Sequence, residues 1–335
     1  MGTTHLASCS KSFMDTRRPR RVREILCAET FLRFRTTRDA SSPTVFHEIF
    51  LFNAGAGTGN FAGKMNVFEN REKILRVCGL CVDFSSRGRT AHVVRDVSFE
   101  LARGEILAIV GESGSGKTVS SQALAGLLPD APACAVRGEI FLRGRQILGL
   151  RERDLRKIRG REIAYVFQDP QSSLNPVYTV GAQIEEAICT HVPELKTARS
   201  RRERVGELLR EVGIAPELAD AFPHEFSGGM QQRAMIAMAL AGEPEILVAD
   251  EPTTALDVTT QRQIMDLLLA LRERRSMSVI LITHNFGLVA QIADRVCVLF
   301  RGEKVEEGAT CDVIENPRHE YTRALLACVP RLRTE

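Results

Sequence analysis

No stretch of this 335-residue sequence approaches the ~18 uninterrupted apolar residues of a membrane span. The nearest, residues 45–56, is short and broken by His47, Glu48 and Asn53. A charged-then-apolar leader is also missing at the start, so work at a membrane would need a partner to supply the span. A strong charge balance is lacking too. Forty-five Lys/Arg face 42 Asp/Glu, and residues 1–64 hold ten basic against five acidic groups, leaving 35 against 37. The near-neutral remainder gives no electrostatic footprint for nucleic acid. Cys78 and Cys81 form a lone C-x-x-C with no second pair or His ligands at ribbon spacing, which argues against a zinc site. They fall within a strand pattern rather than at the strand-to-helix turn of a thiol redox motif. Cys189, Cys297 and Cys328 lie in apolar runs and read as small buried hydrophobes of a reducing compartment.

What is present is ordinary globular composition, 44% hydrophobic and 26% charged, with material for a sizeable core. Residues 1–70 differ from the rest: Arg-rich early, with a glycine stretch at 54–59 and weak periodicity. They read as a poorly ordered extension or as residues ahead of a natural start at Met65. An organellar leader is disfavoured by Asp15, Glu24 and Glu29. From residue 74 the pattern is regular. Strands are expected at 74–84, 92–101, 106–110, 139–142, 163–167, 246–250 and 279–283, with a hairpin at 296–307 around Arg301–Gly302. Helices are expected at 119–128, 199–212, 230–240, 259–274 and 286–294. The central alternation of strand and helix predicts an α/β fold with a parallel sheet, and the leading strand pairs an antiparallel flap beside it.

Gly111-Glu112-Ser113-Gly114-Ser115-Gly116-Lys117-Thr118 matches G-x-x-x-x-G-K-[ST] between a strand and a helix. Its glycines let successive N–H groups point inward, and the helix N-terminus adds partial positive charge. Lys117 supplies a full charge to β/γ-phosphates, and the Thr118 hydroxyl can ligate Mg²⁺. The apolar run 246–249 ends in Asp250 and Glu251, two acids at the carboxyl end of a buried strand, where ligands bind in such sheets. Asp250 suits the metal and Glu251 suits a general base on water. Cradle and acids together indicate an Mg²⁺-dependent nucleoside triphosphatase.

Phe226-Ser-Gly-Gly-Met-Gln-Gln-Arg233 resembles the signature motif of ABC cassettes, with Phe226 and Met230 standing where Leu and Gln are frequent. Ser227 and Gly229 open a helix and present a hydroxyl, N–H groups and a dipole end to an anion. In that family this surface faces the γ-phosphate held by the opposite subunit. Gln168 resembles the Q-loop glutamine that touches magnesium, Ala255-Leu-Asp257 the D-loop, and His284 the switch histidine, beside which Asn285 replaces a frequent Asp. Phe84 is the candidate for stacking on adenine. The resemblance covers about residues 74–332. It implies a P-loop NTPase fold with an antiparallel β subdomain and a helical subdomain at about 172–233. It also implies a second cassette, identical or paralogous.

The wording at 167–176, 223–230, 250–258 and 319–332 resembles the ATPases of bacterial oligopeptide, dipeptide and nickel importers. That group implies two membrane permease subunits, a separate solute-binding protein and a peripheral position on the cytoplasmic face of the inner membrane. Many of its members continue with a cysteine-rich tail; this sequence ends at Glu335, and no iron–sulfur site is expected. Residues 172–187 are where a permease is expected to dock, with Val177, Tyr178 and Phe222 either as its apolar contacts or as subdomain core. A soluble ABC ATPase of repair or translation is the rival class. It is disfavoured because one cradle, one signature and no sustained heptad are present.

Overall fold

The computed structural model of the chain describes residues 71–86 and 88–327, and the structural statements below concern these residues. The 1–70 extension, Cys328 and the 328–335 tail lie outside the described residues.

The chain opens with two long strands, β1 (Lys73–Ser86) and β2 (Arg89–Ala102), then β3 (Ile106–Val110) and helix α1 (Lys117–Leu124). Next come β4 (Cys134–Leu142), β5 (Arg145–Gln146), α2 (Glu152–Ile158) and β6 (Ile163–Val166). The stretch before β7 (Ile246–Asp250) is helical. It holds α3 (Pro170–Ser173), α4 (Val180–His191), α5 (Ala198–Glu211) and α6 (Gly228–Ala239). The remainder alternates: α7 (Val258–Arg275), β8 (Ser278–Thr283), α8 (Phe286–Ile292), β9 (Arg295–Phe300), β10 (Glu303–Ala309), α9 (Thr310–Glu315) and α10 (Glu320–Ala327).

Two sheets result. The larger has the order β10-β9-β3-β8-β7-β6, parallel except for the β9–β10 hairpin. The smaller, β2-β1-β4-β5, is antiparallel. Side chains alternate along each parallel strand, which sorts the core into two layers. Ala108, Leu247, Leu281 and Val298 pack with the helices on one face. Leu107, Val248, Ile282 and Leu299 pack with α1 and the antiparallel sheet on the other. A sheet covered on both faces explains why β3, and β7 up to its terminal Asp250, are continuous apolar runs with every residue buried.

Six helices start on a residue whose side chain bonds a free N–H of the first turn: Asp169, Thr179, Thr197, Ser227, Asp257 and Asn285. The last three double as candidate-site positions. Helices α2, α3, α4, α9 and α10 and the short β5 were not anticipated as elements. For α4 the signal existed, since Val180, Ile184 and Ile188 recur at i, i+4 and are buried.

The cysteine expectation holds for Cys297, which is fully buried, and fails for Cys189, which is exposed near the end of α4. Cys189 follows Ile188 on the helix and points away from the stripe formed by Ile184 and Ile188. Cys78 and Cys81 are free thiols on β1, flanking a register shift. No group of three or more His, Cys, Asp or Glu able to hold a metal occurs among the described residues. Likewise, among these residues no helix is long and apolar enough to cross a membrane.

Candidate functional site

The site forms where β3, β7 and β8 end together. Their parallel pairing places Val110, Asp250 and Thr283 at neighbouring carboxyl ends, so the loop after each strand opens on one cleft. That cleft, of about 730 Å³, is lined by residues of the 111–119 loop and helix start, by Gln168, Glu251 and His284, and by Val93 and Leu325.

The loop after β3 has the conformation its glycines permit. Gly114 and Gly116 have φ of 82° and 96°, the left-handed region that favours glycine. At Gly111 a Cβ would collide with the Leu299 carbonyl oxygen. Helix α1 begins at Gly116 with no side chain capping its first turn, so its N–H groups face the cleft mouth as an anion site would require. The buried Ser115 hydroxyl has no hydrogen-bond partner. Lys117, only 5% exposed, lies inside the loop and donates to the carbonyls of Gly111 and Glu112, both at 2.8 Å. Burial lowers its pKa from the ordinary lysine value, while Glu251, Asp250 and Glu112 act to raise it. A buried cation, exposed helix donors and a loop with room at Gly114 fit a triphosphate.

Asp250 is 2% exposed and carries a hydroxyl on each carboxylate oxygen. Thr118 Oγ1 donates to Oδ1 at 3.2 Å, and Tyr165 Oη donates to Oδ2 at 2.8 Å. Burial raises the Asp250 pKa, and the bonds from Tyr165 and Thr118 pull it back. Thr118 and Asp250 give two hard oxygen donors side by side, a set suited to Mg²⁺. Gln168 lines the same cleft.

Glu251 takes a left-handed backbone (φ 44°), a strained conformation for a non-glycine residue held here by its N–H bond to Ile282 O at 2.9 Å. That turn aims the side chain back over the cleft. One oxygen meets His284 Nδ1 at 3.2 Å, and the other accepts from Gln168 Nε2 at 3.0 Å and Thr254 Oγ1 at 2.9 Å. Two loops distant in sequence, those of Gln168 and His284, therefore converge with Glu251's own loop on one carboxylate.

Tyr165 is the site residue that sequence reasoning missed. It sits on β6, beside β7, and its hydroxyl joins Ser121 of α1 (2.8 Å) to Asp250. Burial pushes its phenol above the ordinary value and the Asp250 charge adds to this, so it acts as a donor. One of only three tyrosines, placed three residues before Gln168, was a readable cue.

Ser115 and Asp250 are buried and do not themselves line the cleft, though Thr118, which does, bonds Asp250. Four other expected residues stand apart from the cleft. Ser227, Gly229 and Asp257 do not line it. Ser227 caps α6 through the Met230 N–H (3.4 Å), and Asp257 caps α7 by accepting from Thr260 N at 2.9 Å and Thr260 Oγ1 at 2.7 Å. A Cβ on Gly229 would lie 2.5 Å from Thr260 Cγ2, so the signature loop and the start of α7 touch each other. Phe84 is a correction. The candidate for stacking on adenine lies in the strand expected at 74–84, paired in β1 with Ala91 and Cys134 and half-buried against the antiparallel-sheet core, and does not line the cleft. Val93 lines that side of the cleft instead.

Comparison with known proteins agrees with this geometry. Residues 94–254 match the ABC transporter family, and residues 305–335 match the oligopeptide/dipeptide transporter C-terminal region. The oligopeptide transport ATP-binding protein OppD of Bacillus subtilis is 48% identical over 264 residues, 78% of this chain and 73% of that protein. The dipeptide transport ATP-binding protein DppD of Haemophilus influenzae is 49% identical over 259 residues, 77% of this chain and 78% of its own. Among solved structures, the dimeric post-hydrolysis state of the ATP-binding cassette MJ0796 bound to ADP and Pi superposes with a TM-score of 0.64. It is 29% identical and covers 70% of this chain and 98% of its own. With the phosphate loop, paired acids and convergent histidine in place, this chain belongs to the ATP-binding ATPase subunits of the ABC transporter family.

Proposed function

We propose that this chain powers the import of peptides of the oligopeptide or dipeptide class, hydrolysing ATP at a site completed by a second cassette. The observation that carries the ATPase part is the convergence of Lys117, Thr118, Glu251 and His284 on one cleft, with Asp250 bonded to Thr118, while Ser227 and Gly229 are not among the lining residues. A site so divided works when another chain presents its own signature loop. The cargo class is supported by the peptide-transport relatives and by the match of the C-terminal region.

In this reading Lys117 and the helix α1 donors hold the β- and γ-phosphates. Thr118, Asp250 and Gln168 hold Mg²⁺, which when bound neutralises charge developing on the phosphoryl oxygens. Glu251 orients water and takes its proton. His284 and Gln168 fix the carboxylate of Glu251 by the bonds described above. Positioning and electrostatics carry phosphoryl transfer, with no covalent protein intermediate.

The assembly would include two permease subunits and, beyond them, a solute-binding protein, with this chain peripheral on the cytoplasmic face of the inner membrane. Val177, Tyr178 and Phe222, which were either docking contacts or core, are 71%, 57% and 37% exposed, which supports docking. The test is reconstitution with the cognate permease subunits and binding protein in proteoliposomes. Mg-ATP-dependent uptake of a labelled dipeptide or pentapeptide is expected. Uptake of nickel with no peptide uptake would overturn the cargo assignment.

A further consequence concerns Tyr165. Tyr165→Phe keeps the ring contact with Phe167 (4.7 Å) but removes one donor from Asp250. Loss of such a supporting bond is expected to raise about tenfold the Mg²⁺ concentration needed for half-maximal tightening of a fluorescent ATP analogue. Unchanged Mg²⁺ dependence would remove Tyr165 from the site.

A further inference from the structure

The phosphate loop leans on a segment that suggested no chemistry in the sequence. The Glu112 N–H donates to Tyr321 Oη at 2.9 Å, across 209 positions of chain. Tyr321 is 8% exposed, and its ring lies 4.1 Å from that of Phe300 at the end of β9, so the hydroxyl is held in place by ring packing. The start of α10 is fastened independently. Glu306 on β10 accepts the N–H groups of Arg318 at 2.7 Å and His319 at 3.1 Å, and His319 Nδ1 accepts from Tyr321 N at 3.1 Å. Leu325 stands four residues after Tyr321, on the same face of α10, and lines the cleft itself. The other shoulder of the loop is gripped by the β9–β10 turn, where Gly302 N donates to Ser115 O at 3.1 Å and Gly302 O accepts from Arg95 N at 2.7 Å.

We propose that α10 is a wall of the nucleotide site: Tyr321 positions the phosphate loop through Glu112, Leu325 covers the bound nucleoside triphosphate, and the C-terminal region thereby sets nucleotide affinity. The physical reason is preorganisation. A phosphate cradle works through N–H groups aimed inward at once, and fixing each residue's backbone costs conformational entropy. A bond from Glu112 to a rigid phenol settles one edge of the cradle before nucleotide arrives. This rests on the reading of the cleft as the ATP site.

The experiment measures the Kd of a fluorescent ATP analogue and the melting temperature for the full chain and three variants. Tyr321→Phe retains the ring against Phe300 and deletes only the acceptor, so Kd is expected to rise about fivefold, the worth of one neutral hydrogen bond. Leu325→Gln is expected to weaken binding by a smaller factor through lost apolar cover. The nucleotide-free melting temperature is expected to move by less than about 2 °C in either variant. Lys117→Ala serves as the reference for the cleft and is expected to weaken binding by about two to three orders of magnitude. Binding by Tyr321→Phe within about twofold of the parent, less than one hydrogen bond, overturns the proposal. So does a melting temperature lowered with affinity intact, which marks Tyr321 as structural only. Parent-like binding by Lys117→Ala defeats the assignment of the cleft itself.

Discussion

Glu251→Gln is expected to lower ATP hydrolysis by about two to three orders of magnitude and to trap the protein as an ATP-bound dimer. The substitution keeps shape and length, so the carboxamide can still meet His284, Gln168 and Thr254. What it loses is the capacity to take a proton from water at the reacting oxygen. Binding is retained because Lys117 and the α1 donors are untouched, while the step that would release two joined cassettes is blocked. Gel filtration under saturating Mg-ATP provides the measurement. A monomeric elution would show that Ser227 and Gly229 do not complete a partner's site. A dimer that still hydrolyses at the parental rate would remove Glu251 from the chemistry.

Lys117→Ala is expected to weaken ATP binding by about two to three orders of magnitude, comparable to removing a preorganised donor from a charged transition-state site. The ammonium is buried, and Gly111 O and Glu112 O both accept from it. Truncation therefore removes the only full positive charge within the loop and leaves two carbonyls without that donor. Lys117→Arg is not expected to rescue binding, because a planar, wider guanidinium does not fit a loop closed by Gly111 against Leu299. Equilibrium titration with a fluorescent nucleotide checks both. Parental affinity in Lys117→Ala would place the nucleotide elsewhere.

The predicted strands at 106–110 and 246–250 match β3 and β7 residue for residue, because a strand buried on both faces reads as an apolar run, ended in β7 by Asp250 at the site. The conformation of the 111–118 loop was equally legible, since glycine spacing reports the backbone angles needed. The strand expected at 74–84 runs on to Ser86, because a strand's end is set by its partners and β1 pairs with β2 as far as Ser86 and Arg89; Phe84, inside it, does not line the cleft.

The loop at 111–118 and the acids at 250–251 were legible in the sequence because each motif's chemistry depends on backbone shape over fewer than ten residues, whereas 227–229 were marked only by the family resemblance. The partners of those motifs were fixed only in three dimensions. Strand order sets β6 beside β7, which delivers the Tyr165 hydroxyl to Asp250 and Gln168 to Glu251. It also sets β9 beside β3, which brings Phe300, and Tyr321 packed on it, against the phosphate loop. Local periodicity carries no information about which distant strand becomes a neighbour. That choice belongs to the packing of the whole sheet, and with it the second layer of residues around the site.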